Sequence, residues 1–170
     1  MEKIKKLRKI LKNEGLDGYI IPKNDEFFSE YVPEYNDRLN FISSFTGSYG
    51  FALVLKDKNY LFVDGRYTLQ ANNQSGRSFK IITIPDKMRS DNSRGKKMSI
   101  GFDPNLCTEE TIFIYFGKSK CICKPIVENL IDKIWKREIK NNKSKFFIIP
   151  DRSVSAEHKS IIDNIIIYLR

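Results

Sequence analysis

The chain has 170 residues, and its 30 Lys and Arg against 21 Asp and Glu leave a net charge of +9 with the single histidine neutral. With 41% hydrophobic residues the composition is not that of a disordered chain, and the length suits one domain, or one domain and the start of another. The longest apolar runs are short, such as 165–169, which excludes a membrane-spanning helix of about 20 residues. No apolar segment of about 7–15 residues follows the basic N-terminus, which argues against a secretory signal.

The spacing of apolar residues predicts helices and strands in alternation. In chain order we expect a helix over 2–14, a strand over 18–21, a short helix over 39–45, a hairpin of strands over 51–56 and 60–63, a helix over 66–74, strands over 79–84 and 98–102, a helix over 109–116, a strand over 121–126 and a helix over 127–135. Gly15 and Gly47 should end the first two helices, and Thr108 should cap the fourth. This order predicts an α/β fold with a mixed β-sheet flanked by helices.

The composition changes after Trp135. A polar, basic linker covers 136–145, a new apolar run follows at 146–150, and a helix is expected to start near Ser155. We therefore expect the first domain to be complete by residue 135 and a second unit to begin after it.

Three cysteines and one histidine limit the available chemistry. An odd cysteine count predicts reduced thiols in a cytoplasmic protein. His158 alone cannot build most catalytic triads or multi-histidine metal sites, and zinc bound by His158 with Cys107, Cys121 and Cys123 matches no standard spacing. On a strand, Cys121 and Cys123 share one face, where small buried side chains are the simpler interpretation.

No common catalytic motif is present. The patterns GxxxxGK[ST], GxGxxG and HExxH are absent. Ser48 lacks both the GxSxG spacing and a nearby histidine, so it is a poor candidate nucleophile. A two-metal site would need Asp25, Glu26 and Glu30 to converge with Asp64, and nothing in the spacing requires this. Asp64 is interpreted as a turn residue at the end of a strand.

The charge is unevenly distributed. Residues 1–12 carry six basic residues against one acid, and residues 118–145 carry nine against three, whereas residues 23–38 carry five acids against two basic residues. A basic stripe can bind nucleic acid through its phosphates. Proteins that bind single-stranded nucleic acid place aromatic side chains among the basic ones, and this chain does not. We therefore interpret the basic residues as a solvated helix face and a solvated linker. A basic nucleic-acid-binding α/β domain remains the alternative.

Five segments, taken in order, form a specific combination. They are DEFFSEY (25–31), RLNFISSFTGSYG (38–50), DGRYTLQA (64–71), IGFDP (100–104) and NLIDKIW (129–135). Together they resemble the N-terminal domain of Xaa-Pro aminopeptidase (aminopeptidase P), in the three-domain form of this creatinase/prolidase family. The resemblance extends over about residues 3–135, and residues 149–159 resemble the opening of that enzyme's second domain. One departure is the short polar stretch between Pro85 and Ile100, where the family usually has an apolar helix.

The resemblance implies a ribonuclease-H-like creatinase/prolidase N-terminal domain over 1–135, and a linker with the truncated start of a second such domain over 136–170. The full enzyme removes the residue before an N-terminal proline with two divalent metal ions, typically manganese, held by a catalytic domain. That ligand set is missing from these 170 residues, so we expect no cofactor in the chain and no activity from it alone. Either a separately encoded catalytic chain or a broken gene would account for such a chain.

The resemblance also suggests roles for particular residues. In the family this domain helps to form the dimer and shapes the active-site mouth. Asp25, Arg38 and Arg66 are its candidate substrate-binding residues, lent to a neighbouring subunit's pocket. From the residues themselves, Arg38 is expected to pair with the acidic segment or with Asp64. The expected partner is a second copy of the chain or a separate catalytic chain, and no contact with a membrane is expected. A function in homodimerisation alone is a further alternative.

Overall fold

The computed structural model of the protein describes residues 1–84 and 97–137, in which helices alternate with strands. The helices are α1 (Glu2–Asn13), α2 (Arg38–Ser43), α3 (Thr68–Ser75) and α4 (Glu109–Phe116). The strands are β1 (Gly18–Pro22), β2 (Gly50–Leu55), β3 (Asn59–Asp64), β4 (Lys80–Ile84), β5 (Ser99–Phe102) and β6 (Ile122–Pro125). Short 3₁₀ turns cover Glu34–Asn36 and Gly65–Tyr67. None of the helices described is long and apolar enough to cross a membrane.

The six strands form one mixed sheet in the order β4-β3-β2-β1-β5-β6. β2 runs antiparallel to both of its neighbours, β1 and β3, and every other pairing is parallel. The carboxyl ends of β1, β3, β4, β5 and β6 therefore meet at one edge of the sheet, called the carboxyl edge below. The loops that follow β1 and β3 at this edge contain Asp25 and Arg66, so the topology places these candidate residues on the same side of the domain.

Both faces of the sheet are covered by apolar side chains. Because strand side chains alternate between faces, Tyr19 and Ile21 of β1 join one layer while Ile20 joins the other. The first layer includes Leu7 and Leu11 of α1, and the second packs against α4. All five residues of β1 are buried as a result, which explains its short, uninterrupted apolar sequence.

Most of the predicted boundaries agree with the structure within one or two residues. Gly15 follows α1 with a φ of +64°, as a residue after a helix end often does. The Thr108 side chain accepts a hydrogen bond from the backbone N–H of Thr111 and caps α4. The predicted sheet is confirmed in its strands and in its mixed character.

Two predictions about helices are wrong, one about where a helix ends and one about whether a helix forms. Ser44, in the left-handed conformation with φ of +65°, ends α2, whereas Gly47 lies against the Phe45 ring, where a Cβ would overlap it. The stretch 127–135 is a series of turns and not a helix. Its Asn129 side chain accepts a hydrogen bond from the N–H of Ile131, a local bond that competes with helix formation, and donates one to Asp103, 26 residues earlier in the chain. Residues 86–96 of the polar stretch predicted as a loop over 86–97 lie outside the described residues, as do His158 and the second unit.

Candidate functional site

Asp25 lies just after β1 in the loop that connects β1 to α2, residues 23–37, called the acidic loop below. It is 1% exposed, and its carboxylate accepts hydrogen bonds from the backbone N–H groups of Phe27 (3.0 Å) and Ser29 (2.9 Å). Burial disfavours its charged form, but these N–H donors outweigh burial and lower the pKa of Asp25. Asp25 therefore shapes the acidic loop from inside. Its contact with a substrate remains a prediction.

Arg38 is also buried, and it connects the acidic loop to the end of the domain. Its guanidinium, 1% exposed, donates from Nε (3.0 Å) and Nη2 (2.9 Å) to the two carboxylate oxygens of Asp132. Nη2 also donates to Oε1 of Glu26 at 2.6 Å. Burial opposes the charge of Arg38, but the two carboxylates outweigh it and raise its pKa, and this geometry matches the planar fork of an arginine. The expected pairing with the acidic loop is confirmed; Asp64 has a different partner.

A second arginine completes this network. Arg137 donates to Asp132 (2.6 Å) and to the side-chain oxygen of Asn36 (2.7 Å). Asp37 accepts the backbone N–H of Asn40 at the start of α2 and forms an ion pair with Lys23. We call the set that the bonds of the two arginines join the arginine cluster: Glu26, Asn36, Arg38, Asp132 and Arg137. It joins the acidic loop, the start of α2 and the segment 132–137 into one unit.

Arg66 has a very different environment. Asp64 accepts the backbone N–H of Arg66 (2.8 Å) and forms an ion pair with its Nε (3.0 Å), which closes the predicted turn at the end of β3. Hydrogen bonding to Arg66 lowers the pKa of Asp64. The Arg66 side chain is 74% exposed and lies 5.6 Å from the Tyr67 ring centroid. Because β2 separates β1 from β3, the strand ends from which the Arg66 loop and the acidic loop start are about 10 Å apart along the edge. Of the three candidates, Arg66 alone has an exposed side chain.

The carboxylates that the structure describes do not fit a metal centre. In residues 1–84 and 97–137 no three His, Cys, Asp or Glu side chains are close enough to hold an ion. Asp37, Asp64 and Asp132 face Lys or Arg, and Asp25 is bonded to backbone N–H groups. Acids neutralised in this way are poor ligands, so no metal-dependent step is assigned to them. The Ser48 hydroxyl shares a hydrogen bond with the Tyr67 hydroxyl (2.7 Å), which supplies no general base.

The sequence interpretation missed Asp132 as the partner of Arg38, and Arg137 as the second donor to Asp132. Asp132 belongs to the NLIDKIW segment, but a predicted helix there gave no reason to place its carboxylate beside residue 38. Arg137 was counted with the solvated basic linker. The one available signal was a single acid in the motif NLIDKIW and a single arginine in the motif RLNFISSFTGSYG.

The acidic loop is expected to make the fold acid-sensitive. Asp25 and Glu26 both have lowered pKa values in the folded state: burial opposes ionisation, and hydrogen bonds to backbone N–H groups, and to Arg38 for Glu26, outweigh it. A lowered carboxyl pKa stabilises the fold above the unfolded value of about 4, and that contribution is lost as the pH falls through the folded value. The urea concentration at the midpoint of unfolding should therefore decrease when the pH is lowered below about 4. Asp25→Asn keeps the acceptor oxygen without the titration, so its acid-induced loss should be smaller; an equal loss would contradict this role.

Comparison with known proteins supports the family suggested by the motifs. The model of the "Creatinase/Prolidase N-terminal domain" matches residues 3–113. A "Probable Xaa-Pro aminopeptidase P" of Coprinopsis cinerea is 34% identical over 141 residues, covering 78% of this chain and 23% of that protein. The chain spans only 21–23% of the length of this protein and the next two curated relatives.

Solved structures agree with this result. The X-prolyl aminopeptidase of Caenorhabditis elegans, described as a cytosolic enzyme with a di-nuclear active site, superposes with a TM-score of 0.67 at 30% identity, covering 81% of this chain and 26% of that one. The N-terminal domain of the peptidase PepQ from Mycobacterium tuberculosis has the same fold, with a TM-score of 0.61 at 20% identity, covering 79% of this chain and 98% of that one. The chain belongs to the creatinase/prolidase N-terminal domain family.

Proposed function

We propose that this chain serves as the non-catalytic N-terminal domain of a cytoplasmic, metal-dependent Xaa-Pro aminopeptidase. The observation that carries the proposal is the match to the C. elegans enzyme, which has 30% identity over 81% of this chain and leaves most of that enzyme unmatched. The reaction would remove the residue before an N-terminal proline. The metal ions, two divalent ions such as manganese, would belong to a catalytic domain and would activate water there.

The described residues suit a supporting role in that reaction. Asp25 and the arginine cluster hold the acidic loop from inside, while Phe27 and Tyr31 of this loop project into solvent. Arg66 projects from the next loop along the carboxyl edge. A rigid support with exposed side chains is what a domain needs to shape the mouth of a pocket that another domain completes. Dimerisation is the second role that we propose for the domain.

Nucleic-acid binding gains no support from the structure. Two basic residues of α1 are engaged within the domain: Lys3 donates to the carbonyl of Phe41, and Arg8 donates to the carbonyl of Leu55 and to Asn59.

The proposal predicts that the 170-residue chain alone does not cleave an Xaa-Pro peptide in the presence of manganese, because the described residues offer no ligand set. Added to the remaining part of a matched aminopeptidase, produced without its own N-terminal domain, it should bind and raise turnover. Chromatography measures turnover from the released N-terminal residue, and it measures binding from the elution of the two chains together. Turnover by the chain alone would contradict the non-catalytic assignment, and a failure to bind would contradict the supporting role.

The same assay tests Arg66 as a substrate contact. Arg66→Ala should leave binding of the two chains unchanged and raise KM for the peptide, since the side chain is exposed and is not needed for folding. Leu69→Ala is a matched control, because Leu69 is 75% exposed on the adjacent helix and carries no charge. Equal kinetic effects of the two variants would remove Arg66 from the proposed pocket.

A further inference from the structure

Sulfur-containing side chains are concentrated around β5 and β6. The chain has three cysteines and three methionines. Met98 comes just before β5, Cys107 follows β5, Cys121 comes just before β6, and Cys123 lies within β6. Four of the six sulfur-containing residues therefore belong to two neighbouring strands or to the segments next to them. The three cysteines are free thiols.

The pairing of β5 with β6 places three of these side chains on one face. Ile100 pairs with Cys123 in parallel register, which places Met98 beside Cys121, two residues earlier on each strand. The N–H of Ile122 donates to the carbonyl of Met98 at 2.7 Å and fixes this register. Because residues two apart share a face, Met98, Cys121 and Cys123 lie on the side of Ile100, in the second apolar layer. With strands about 4.8 Å apart and alternate residues about 6.6 Å apart, the three side chains start from the corners of a small triangle.

The two thiols are better suited to binding a metal ion than to forming a disulfide. Both are half-buried, and burial raises the pKa of the Cys123 thiol to about 11, with a further contribution from the nearby Cys121 thiol. A thiol that is protonated at neutral pH is a poor nucleophile for disulfide formation. The spacing of about 6.6 Å is also at the upper end of the usual Cα separation of a disulfide, about 4.4–6.8 Å. A metal ion that prefers sulfur, in contrast, displaces the thiol protons when it binds.

The third ligand that the structure offers is a thioether. In residues 1–84 and 97–137 no group of three His, Cys, Asp or Glu is arranged to hold an ion, so Cys107, which is 3% exposed, does not complete a site with the other two cysteines. Met98 is half-buried beside Cys121 and supplies a third sulfur atom. Thiolate and thioether ligands select Cu(I), whereas structural zinc takes four ligands from Cys, His and carboxylates.

We propose that Met98, Cys121 and Cys123 form a binding site for one Cu(I) ion. Two thiolates and one monovalent cation leave a single negative charge, and the exposed Lys120 and Lys124 are next to the cysteines in the chain and neutralise it. The edge position of β6 gives the ion access from solvent. The site lies where β5 and β6 begin, at the opposite edge of the sheet from the Arg66 loop, so it is independent of the proposed aminopeptidase role.

Competition with the Cu(I) chelator bicinchoninate, under anaerobic and reducing conditions, tests the site on the purified 170-residue chain. We expect the chain to retain one Cu(I) against the chelator. Loss of a residue that only supports a ligand costs about 10–100-fold in metal affinity, so Cys121→Ser and Cys123→Ser should each cost at least about 100-fold. A wild-type chain that gives up all its copper, or serine variants that bind as tightly as the wild type, would overturn the proposal.

The methionine gives the decisive test, because two exposed thiols alone would not need it. Met98→Leu keeps the volume and the apolar character of the side chain, so the fold should be preserved. X-ray absorption at the copper edge should count three sulfur neighbours in the wild type and two in this variant. The affinity for Cu(I) should fall about tenfold. An unchanged sulfur count together with an unchanged affinity would overturn the three-sulfur site.

Controls separate this result from misfolding and from the proposed enzyme role. Cys107→Ala, and Ile122→Val on the opposite face of β6, should retain Cu(I) binding; loss of binding in either one with unchanged far-ultraviolet circular dichroism would overturn the assigned ligands. Cu(I) should raise the urea midpoint of the wild type and not that of Cys121→Ser with Cys123→Ser, because it stabilises only a fold that binds it. Turnover with the separate catalytic part should be the same for all these variants, so a failure of copper binding is distinguished from a failure of the proposed function.

Discussion

Replacing Arg38 with methionine is expected to lower the free energy of unfolding by about 3 kcal/mol, because it leaves the partly buried Glu26 without its cation and leaves Asp132 with Arg137 alone. Arg38 is 1% exposed at its side chain and neutralises both Asp132 and Glu26, which are 29% and 38% exposed. Water can reach these two acids in part, so the loss should fall at the lower end of the range for broken buried pairs. Urea unfolding of the full chain measures it.

Arg66→Met is the matched control for this change. The same substitution there removes an ion pair whose guanidinium is 74% exposed, and such pairs contribute about 0–1 kcal/mol. Arg38→Lys should recover only part of the lost stability, because an ammonium cannot donate along both carboxylate oxygens of Asp132 while it reaches Glu26. Equal losses for Arg38→Met and Arg66→Met would show that the arginine cluster is not a buried structural element.

The contrast between these two arginines explains why part of the site was predictable and part was not. Asp64 and Arg66 are two residues apart, and an acid before Gly65 at the end of a strand is a local turn signal that can be seen in the sequence. Arg38 and Asp132 are 94 residues apart, and no local pattern specifies which acid will meet a given arginine. Only folding brings Arg38 and Asp132 together. The distribution of charge along the chain therefore led to the interpretation that Asp132 and Arg137 lie in a solvated region.

The sheet was predictable for a similar local reason. Its strands are short β-rich runs bounded by Gly, Pro or Asp, and the Asp57–Asn59 turn marks the hairpin of β2 and β3. The order of strands depends on contacts between distant segments, such as the parallel pairing of β1 with β5. The prediction of a helix over 127–135 was wrong because a local sequence pattern contains no information on the bond between the Asn129 amide and Asp103, 26 residues earlier.

Gly50→Ala is expected to cause the second large loss of stability. Gly50 is the first residue of β2 and follows the loop at the carboxyl edge. Gly50 has a φ of +151°, and a Cβ there would lie 2.5 Å from the backbone oxygen of Phe62 on the neighbouring strand. A backbone atom in a paired strand cannot move aside, so strain and overlap together should cost about 2–4 kcal/mol. Urea unfolding should show this loss, and the hydroxyl contact between Ser48 and Tyr67 should weaken, since the loop must shift.

Gly65→Ala provides the matched comparison within the other glycine-containing motif. A Cβ at Gly65 would meet nothing closer than the Thr83 methyl group at 3.8 Å, an ordinary contact. Its effect on stability should therefore stay within about 0.5 kcal/mol. A Gly50→Ala variant as stable as Gly65→Ala would mean that β2 can slide relative to β3. The carboxyl edge would then be too loosely held for Arg66 and the acidic loop to keep the fixed positions that the proposed role of this domain requires.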